Sequence, residues 1–302
     1  MHPAKSVIFF TTASGAGYGL LVLFALLDLA GKLPIAPTVT LWGLGAAAAL
    51  IVGGLLSSTF HLGRPERAWR ALSQWRTSWL SREGVLAILT FPPFAAYAYG
   101  RYALPEGIAP WQPLAAAGSA GLALLTVYCT AMIYASLRPV PAWANPWTPV
   151  CYLALSLSTG AILLHALSVA LGFASVFLTN LTAVLILIGM VVKMMYWRSA
   201  ENAAPVSTAE SATGLGDMGK VSLFEAPHDA DNYLMKEMVF RVARKHARRL
   251  RRVAIIWGFL FPLLAVTLSG FTEGLNSQLM VALSVLTGVV GIGAERWLFF
   301  AE

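Results

Sequence analysis

Val7-Ile8-Phe9-Phe10-Thr11-Thr12-Ala13-Ser14-Gly15-Ala16-Gly17-Tyr18-Gly19-Leu20-Leu21-Val22-Leu23-Phe24-Ala25-Leu26-Leu27-Asp28-Leu29 carries no charge before Asp28. As an α-helix, a stretch of this length crosses the ~30 Å hydrocarbon core of a bilayer. It exceeds the ~7–15 apolar residues of a signal-peptide core, so it is expected to remain as a span. Seven more stretches read the same way: Val39 to Phe60, Glu83 to Tyr102, Leu114 to Leu137, Pro149 to Gly172, Ser175 to Trp197, Val253 to Phe271 and Leu279 to Phe300. The whole chain agrees with them. Its 302 residues are 58% apolar and 12% charged, against about 25% charged in soluble domains. Soluble, disordered and fibrous classes are excluded. The expected architecture is all-α: a polytopic integral membrane protein, an eight-transmembrane-helix bundle forming one membrane domain over residues 1–302.

The basic residues predict its orientation. With eight spans, 19 of the 21 lysines and arginines fall on the side of the two termini, leaving Lys32 and Arg101 opposite. By the positive-inside rule both termini are expected in the cytoplasm, the membrane being the bacterial inner membrane. The net charge of +7 thus serves orientation, and no nucleic-acid partner is expected. Trp42, Trp111, Trp143, Trp147, Trp197, Trp257 and Trp297 fall near predicted span ends, as interfacial aromatics do. Residues 198–252 form a long cytoplasmic loop. Its first part, to about Asp231, is rich in small and polar residues. Its last part is expected to be a basic amphipathic helix, with Met235, Met238, Val239, Val242 and Leu250 on one face. Arg241, Arg244, Lys245 and Arg248 on the other can bind anionic lipid or dock a soluble partner.

The densest chemistry follows the second span: Ser57-Ser58-Thr59-Phe60-His61-Leu62-Gly63-Arg64-Pro65-Glu66-Arg67-Ala68-Trp69, continuing to Ser78-Trp79-Leu80-Ser81-Arg82-Glu83. Gly63 and Pro65 end the helix, so His61 is expected on its last turn at headgroup depth. One reading makes the arginines topology signals and His61 a cap for helix carbonyls. The other makes this a quinone head-group site. A quinone takes up two electrons and two protons, and its pocket needs a donor to a carbonyl oxygen, positive charge and a proton route. His61 can donate and relay protons near neutral pH. Arg64 supplies fixed charge, Glu83 carries protons or orients His61, and Trp69, Trp75 and Trp79 wall the pocket. Arg67 and Arg70 join the docking surface.

The patterns His61-Leu62-Gly63-x-Pro65-x-Arg67-Ala68 and Ser78-x-Leu80-Ser81-x-Glu83 resemble the membrane anchor subunits of dimethyl sulfoxide reductase and its relatives, the DmsC type. The opening Met1-His2-Pro3-Ala4, Gly15-Ala16-Gly17, Pro141-x-Trp143, Trp147-Thr148-Pro149 and the late Glu295-Arg296 are similar too. The resemblance implies an anchor holding a molybdopterin catalytic subunit through an iron–sulfur electron-transfer subunit. It implies binding of ubiquinone or menaquinone, with no haem and no iron–sulfur cluster in this chain. It matches His61 to the family's quinone-site histidine and Glu83 to its linked glutamate. Glu225-x-Pro227-His228, Asn232-Tyr233-Leu234-x-Lys236-Glu237-Met238 and Arg241-Val242-Ala243-Arg244-Lys245-His246-Ala247 resemble the branch of sulfite dehydrogenase anchors. The alternative branch is a reductase anchor that oxidises menaquinol.

Other signals read as structure. The Gly15 to Gly19 run lies inside a span and fits close helix packing rather than a phosphate loop. His165 is expected to be a hydrogen-bonded histidine of the bundle. Asp28 and Lys193, near span ends, are expected to snorkel to water. Cys129 and Cys151 are expected to be apolar fillers. Two rival functions remain: a haem b anchor, which lacks a second intramembrane histidine, and a secondary transporter, for which Pro92-Pro93 and Pro262 would break helices.

Overall fold

The computed structural model describes residues 5–60, 62–104, 109–202, 207–225 and 241–301, without the side chains of residues 65 and 241–244. His61 and residues 226–240, which carry much of the sulfite-branch signature, therefore lie outside the described residues. The long helices are α1 (Lys5–Leu29), α2 (Pro37–Thr59), α3 (Trp79–Ala103), α4 (Gln112–Ala135), α5 (Trp147–Ala170) and α6 (Val176–Glu201). A short α7 (Ala209–Thr213) follows, then α8 (Arg241–Ile255), α9 (Phe261–Ser269) and α10 (Gly274–Ala301). A 3₁₀ segment, Pro65–Gln74, links α2 to α3. A π turn, Ile256–Leu260, joins α8 to α9 in one continuous rod. No strand occurs among the described residues.

Seven helical stretches among the described residues are long and apolar enough to cross a membrane. They correspond to seven of the expected spans. The remaining one, α3, is as long at 25 residues but contains Arg82, Glu83, Pro92, Pro93 and Arg101, which lower its hydropathy. Neither proline breaks it. At Pro262 the chain likewise stays helical, through the π turn that precedes it, as such bulges permit.

α1 is the centre of the bundle, touching α2, α4, α5 and α10. Every residue from Gly17 to Ala25 is buried, so the helix is apolar all round, as a central helix must be. Glycines set its distances. A methyl group at Gly19 would lie 1.8 Å from the Ser156 carbonyl oxygen of α5, and one at Gly160 would lie 2.3 Å from Gly19 itself. The two backbones therefore cross in direct contact, and the Ser156 hydroxyl donates to the Gly15 carbonyl at 2.5 Å. Gly17 and Gly54 make the same close approach between α1 and α2. The glycine run is a packing surface, as expected. Hydroxyls within the spans donate back along their own helices: Thr126 to Leu122 and Thr182 to Leu178, both at 2.8 Å. Their hydrogens are then met without water, as the bilayer interior demands.

Cross-links fix the two ends of the bundle. The Ser57 hydroxyl donates to the Ser6 carbonyl, Trp143 Nε1 to the Phe299 carbonyl and Tyr196 Oη to the Ala142 carbonyl. This end, where Lys5 and Ala301 lie, is called proximal. At the distal end, Arg101 meets Asp28 at 2.6 Å and donates to the Pro34 carbonyl. Tyr97 donates to the other Asp28 oxygen at 2.8 Å.

Two expectations are corrected here. Asp28 does not snorkel free but is bound by Arg101 and Tyr97. Lys193 is 1% exposed and pairs with Glu295 instead of reaching water. In both cases a partner on a neighbouring helix lies closer than solvent. His165 is buried with Nε2 at 2.8 Å from Ser269 Oγ, as a bundle histidine should be. Cys129 and Cys151 are buried and free.

Candidate functional site

Ser78 caps α3, accepting a hydrogen bond from the Ser81 amide. Glu83, one turn inside, points into the bundle and is 5% exposed. Thr130 of α4 donates its hydroxyl to the Glu83 carboxylate at 2.5 Å. The preceding 3₁₀ segment folds back over the start of α3. Ser81 donates to the Ala71 carbonyl, Leu72 lies over Gly84, and Arg82 donates to the Trp75 and Arg76 carbonyls at 3.0 and 2.7 Å. A buried carboxylate is thus roofed by a loop of arginine and tryptophan.

The structure separates the expected site residues by burial. Arg64, Trp69 and Trp75 are exposed, as are the docking candidates Arg67 and Arg70. Trp79 is half-buried, edge-on to Tyr128 at 6.0 Å. Arg70, Arg76 and Arg82 lie over the rings of Trp69, Trp75 and Trp79 respectively, the last at 4.3 Å. Such stacking spreads cationic and aromatic surface across the loop. Lys245 and Arg248 are exposed on the helical α8. Arg241 and Arg244 belong to that helix, though their side chains, like the whole of His61, lie outside the described residues.

A second polar group shares the proximal end. Glu295 of α10 lies 2.5 Å from Lys193 of α6, and its other oxygen is 3.6 Å from Arg296 Nε. All three are buried. Aromatic faces replace water around the cations. The Arg296 guanidinium sits 4.0 Å from the Tyr152 ring centre, and the Lys193 ammonium 3.8 Å from that of Tyr196. One carboxylate serves two cations, so the group carries a surplus positive charge inside the bundle. Sequence reading marks Glu295 and Arg296 only by resemblance and misses the cluster. Depth arithmetic would find it. Lys193 precedes the end of α6, and Glu295 the end of α10, by a similar number of residues at the same end of the molecule.

Near Thr130 and Arg296 lies a small cavity of about 20 Å³, lined by apolar side chains together with the polar groups of Thr11, Ser14, Thr130, Tyr152, Ser156 and Arg296. That is room for one water. Thr130 thus touches Glu83 on one side and the cavity on the other. Tyr18 of α1 also reaches the cavity. Tyr152 Oη is buried without a hydrogen-bond partner among the described residues, and Arg296 Nε faces the Glu295 oxygen at 3.6 Å. An apolar groove of about 210 Å³ adjoins it, between α1, α2, α5 and α10. Among the described residues no cluster of His, Cys, Asp and Glu fits a metal ion.

A helical bundle with this many apolar spans, its buried charges ion-paired or, at Glu83, hydrogen-bonded across helices, is a multi-pass membrane protein. Comparison with known proteins makes the class specific. Residues 1–300 match the family model of the DMSO reductase anchor subunit (DmsC), and the chain belongs to that family of membrane anchors. It is 33% identical to one of the subunits of the sulfite dehydrogenase of Allochromatium vinosum over 326 aligned positions, covering 100% of this chain and 96% of the relative. No solved structure matches it.

Proposed function

We propose that this chain is the quinone-reactive anchor of a molybdopterin oxidoreductase complex, carrying electrons between an iron–sulfur subunit and the quinone pool. Glu83 is the observation that carries the reading. A carboxylate inside a membrane protein is costly and marks function by default. Among the described residues this one accepts a hydrogen bond from Thr130, which also lines a small cavity, and it is roofed by a basic loop at the membrane edge. Quinone reduction consumes two protons, and Glu83 is placed to deliver them. His61, four residues before the start of the 3₁₀ segment, is the expected head-group donor. The quinone itself, ubiquinone or menaquinone, supplies the two-electron chemistry. This chain holds it, excludes water around it and moves protons to it.

The favoured direction is sulfite oxidation with quinone reduction. It rests on the resemblance, along the whole chain, to part of a sulfite dehydrogenase. A reductase anchor oxidising menaquinol is the second reading, favoured by the family description. For topology, α3 serves as the eighth span: its charges are buried or tied to loop carbonyls, so its lower hydropathy does not bar it from the bilayer. Both termini, the Arg–Trp loop and α8 then face the cytoplasm of a bacterial inner membrane. There Arg67, Arg70, Arg241, Arg244, Lys245 and Arg248 receive the iron–sulfur subunit and anionic lipid.

Purification in gentle detergent tests the class. Recovery with two further chains, molybdenum and iron is expected. A chain that purifies alone and metal-free contradicts the reading. Sulfite-dependent against sulfoxide-dependent turnover then decides direction. In the complex, His61→Ala should assemble normally yet lose most quinone-linked turnover; turnover at the wild-type rate would remove His61 from the site.

A further inference from the structure

The distal end of the bundle, opposite Glu83 and the Arg–Trp loop, holds a cavity of its own. It measures about 230 Å³ and lies where the end of α1, the end of α3 and the start of α4 meet. Asp28, Tyr97, Arg101 and Gln112 supply its polar walls, and Leu29, Leu33, Ile35 and Leu104 the main apolar ones. Leu29, Ile35 and Leu104 are each more than two-fifths exposed, so the mouth of the cavity is apolar and faces outward. Tyr102 and Trp111, exposed at the ends of the same helices, are the aromatics expected at head-group depth.

Most polar atoms of this cavity are matched. Arg101 Nη1 meets one Asp28 oxygen, Tyr97 donates to the other, and Arg101 Nη2 donates to the Pro34 carbonyl. The ion pair is complete, so these walls are neutral as a whole. Two buried atoms are left over among the described residues: Arg101 Nε, a donor, and Gln112 Oε1, an acceptor. Their side chains belong to residues 2% and 8% exposed. Gln112 Oε1 lies against α3 beside Arg101, since a methyl group at Gly100 would be 3.4 Å from it. A buried donor and a buried acceptor without partners are each costly and call for an occupant. Water fills such a space poorly, because each buried water needs about two to four polar partners and most of these walls are apolar. The fitting occupant is an amphiphile, neutral overall, that offers an acceptor to Arg101 and a donor to Gln112. An ethanolamine phospholipid has all three properties: phosphate oxygens, an ammonium group with N–H donors, and acyl chains. A choline lipid has no N–H to donate. A glycerol phospholipid has hydroxyl donors but brings an unbalanced negative charge to neutral walls.

We propose that the distal cavity binds the head group of one ethanolamine phospholipid from the leaflet away from the termini. Its phosphate accepts from Arg101 Nε, its ammonium donates to Gln112 Oε1, and its acyl chains leave past Leu29, Ile35 and Leu104. The lipid ties α1, α3 and α4 together at the end of the bundle where Asp28 and Arg101 already join two of them. This site is independent of the quinone-reactive reading above.

The test uses the full chain, in its complex, stripped of lipid in detergent and then given dioleoyl phosphatidylethanolamine, phosphatidylcholine or phosphatidylglycerol in turn. Native mass spectrometry counts the lipid retained, and a phosphatidylethanolamine with a photoreactive group near the top of an acyl chain maps where it sits. Retention of the ethanolamine lipid over the other two is expected, with labelling at residues 29–35 and 101–116. Gln112→Leu removes the acceptor and should weaken retention about tenfold, the loss of one hydrogen bond to a charged group. Gln112→Glu keeps the acceptor and should retain the lipid. Should Gln112→Leu fail to assemble, the comparison of head groups and the labelling map on the unaltered protein decide the matter. Equal retention of the three lipids overturns the proposal, as does labelling spread over the whole outer face of the bundle, which would show an adventitious lipid shell only. Retention unchanged in Gln112→Leu, or no lipid retained at all, which would leave ordered water as the occupant, overturns it equally.

Discussion

Glu295 has one negative charge and two cations, Lys193 and Arg296, within ion-pair distance, all buried. Removing one partner of a buried pair costs about 3–5 kcal/mol, whereas replacing the pair together with apolar groups can be nearly neutral. Glu295→Leu should therefore be severely destabilising, since it leaves two cations unmatched. Lys193→Met should be milder, because Arg296 still balances the carboxylate. The double variant should recover part of the Glu295→Leu loss. A double-variant cycle on thermal unfolding in detergent reads this coupling; simple additivity would show that the contact contributes nothing to stability. These residues also show the limit of sequence reading. Glu83 was legible because it sits in a dense motif at a helix start. Lys193 was not: snorkelling and burial are equally open to a lysine near a span end, and the choice lies with a carboxylate on a helix far along the chain.

Among elements, the α1–α5 crossing is the most sequence-determined. Gly19 and Gly160 leave backbone against backbone, and the Ser156 hydroxyl bonds the Gly15 carbonyl across the crossing. Gly160→Leu must push α1 off α5 and should prevent recovery of folded protein. Gly45→Leu, whose added Cβ meets nothing within 4 Å, should be tolerated. Size-exclusion recovery of the two variants checks the pair, and equal yields would contradict the packing argument. The span positions were readable because hydropathy and length together decide them. The π turn at Ile256–Leu260 was not, because it depends on Gly258 meeting Gly291 on α10 as well as on Pro262 nearby. Likewise, the 3₁₀ roof over α3 is held by Arg82 bonding to two carbonyls, which no periodicity announces.

At the scale of the molecule, charge sorts into two populations. Arg101, Lys193 and Arg296 are buried among helices, whereas Arg64, Arg67, Arg70, Lys245 and Arg248 are exposed or nearly so. The second population sets orientation and docking. Replacing Lys245, Arg248, Arg249 and Arg252 by Gln should weaken recovery of the partner chains or disturb topology, read by co-purification and by labelling of introduced cysteines. Unchanged behaviour in both assays would assign these charges to neither task. The buried population meets the substrate side of the account at Glu83. The most direct test is the rate at which sulfite reduces a long-chain quinone through the purified complex carrying Glu83→Gln, with Glu83→Asp beside it. The account predicts that Gln, which keeps the shape and loses the proton, abolishes most quinone-linked turnover with the complex intact, and that Asp restores part of it. Wild-type turnover by the fully assembled Glu83→Gln complex would contradict it.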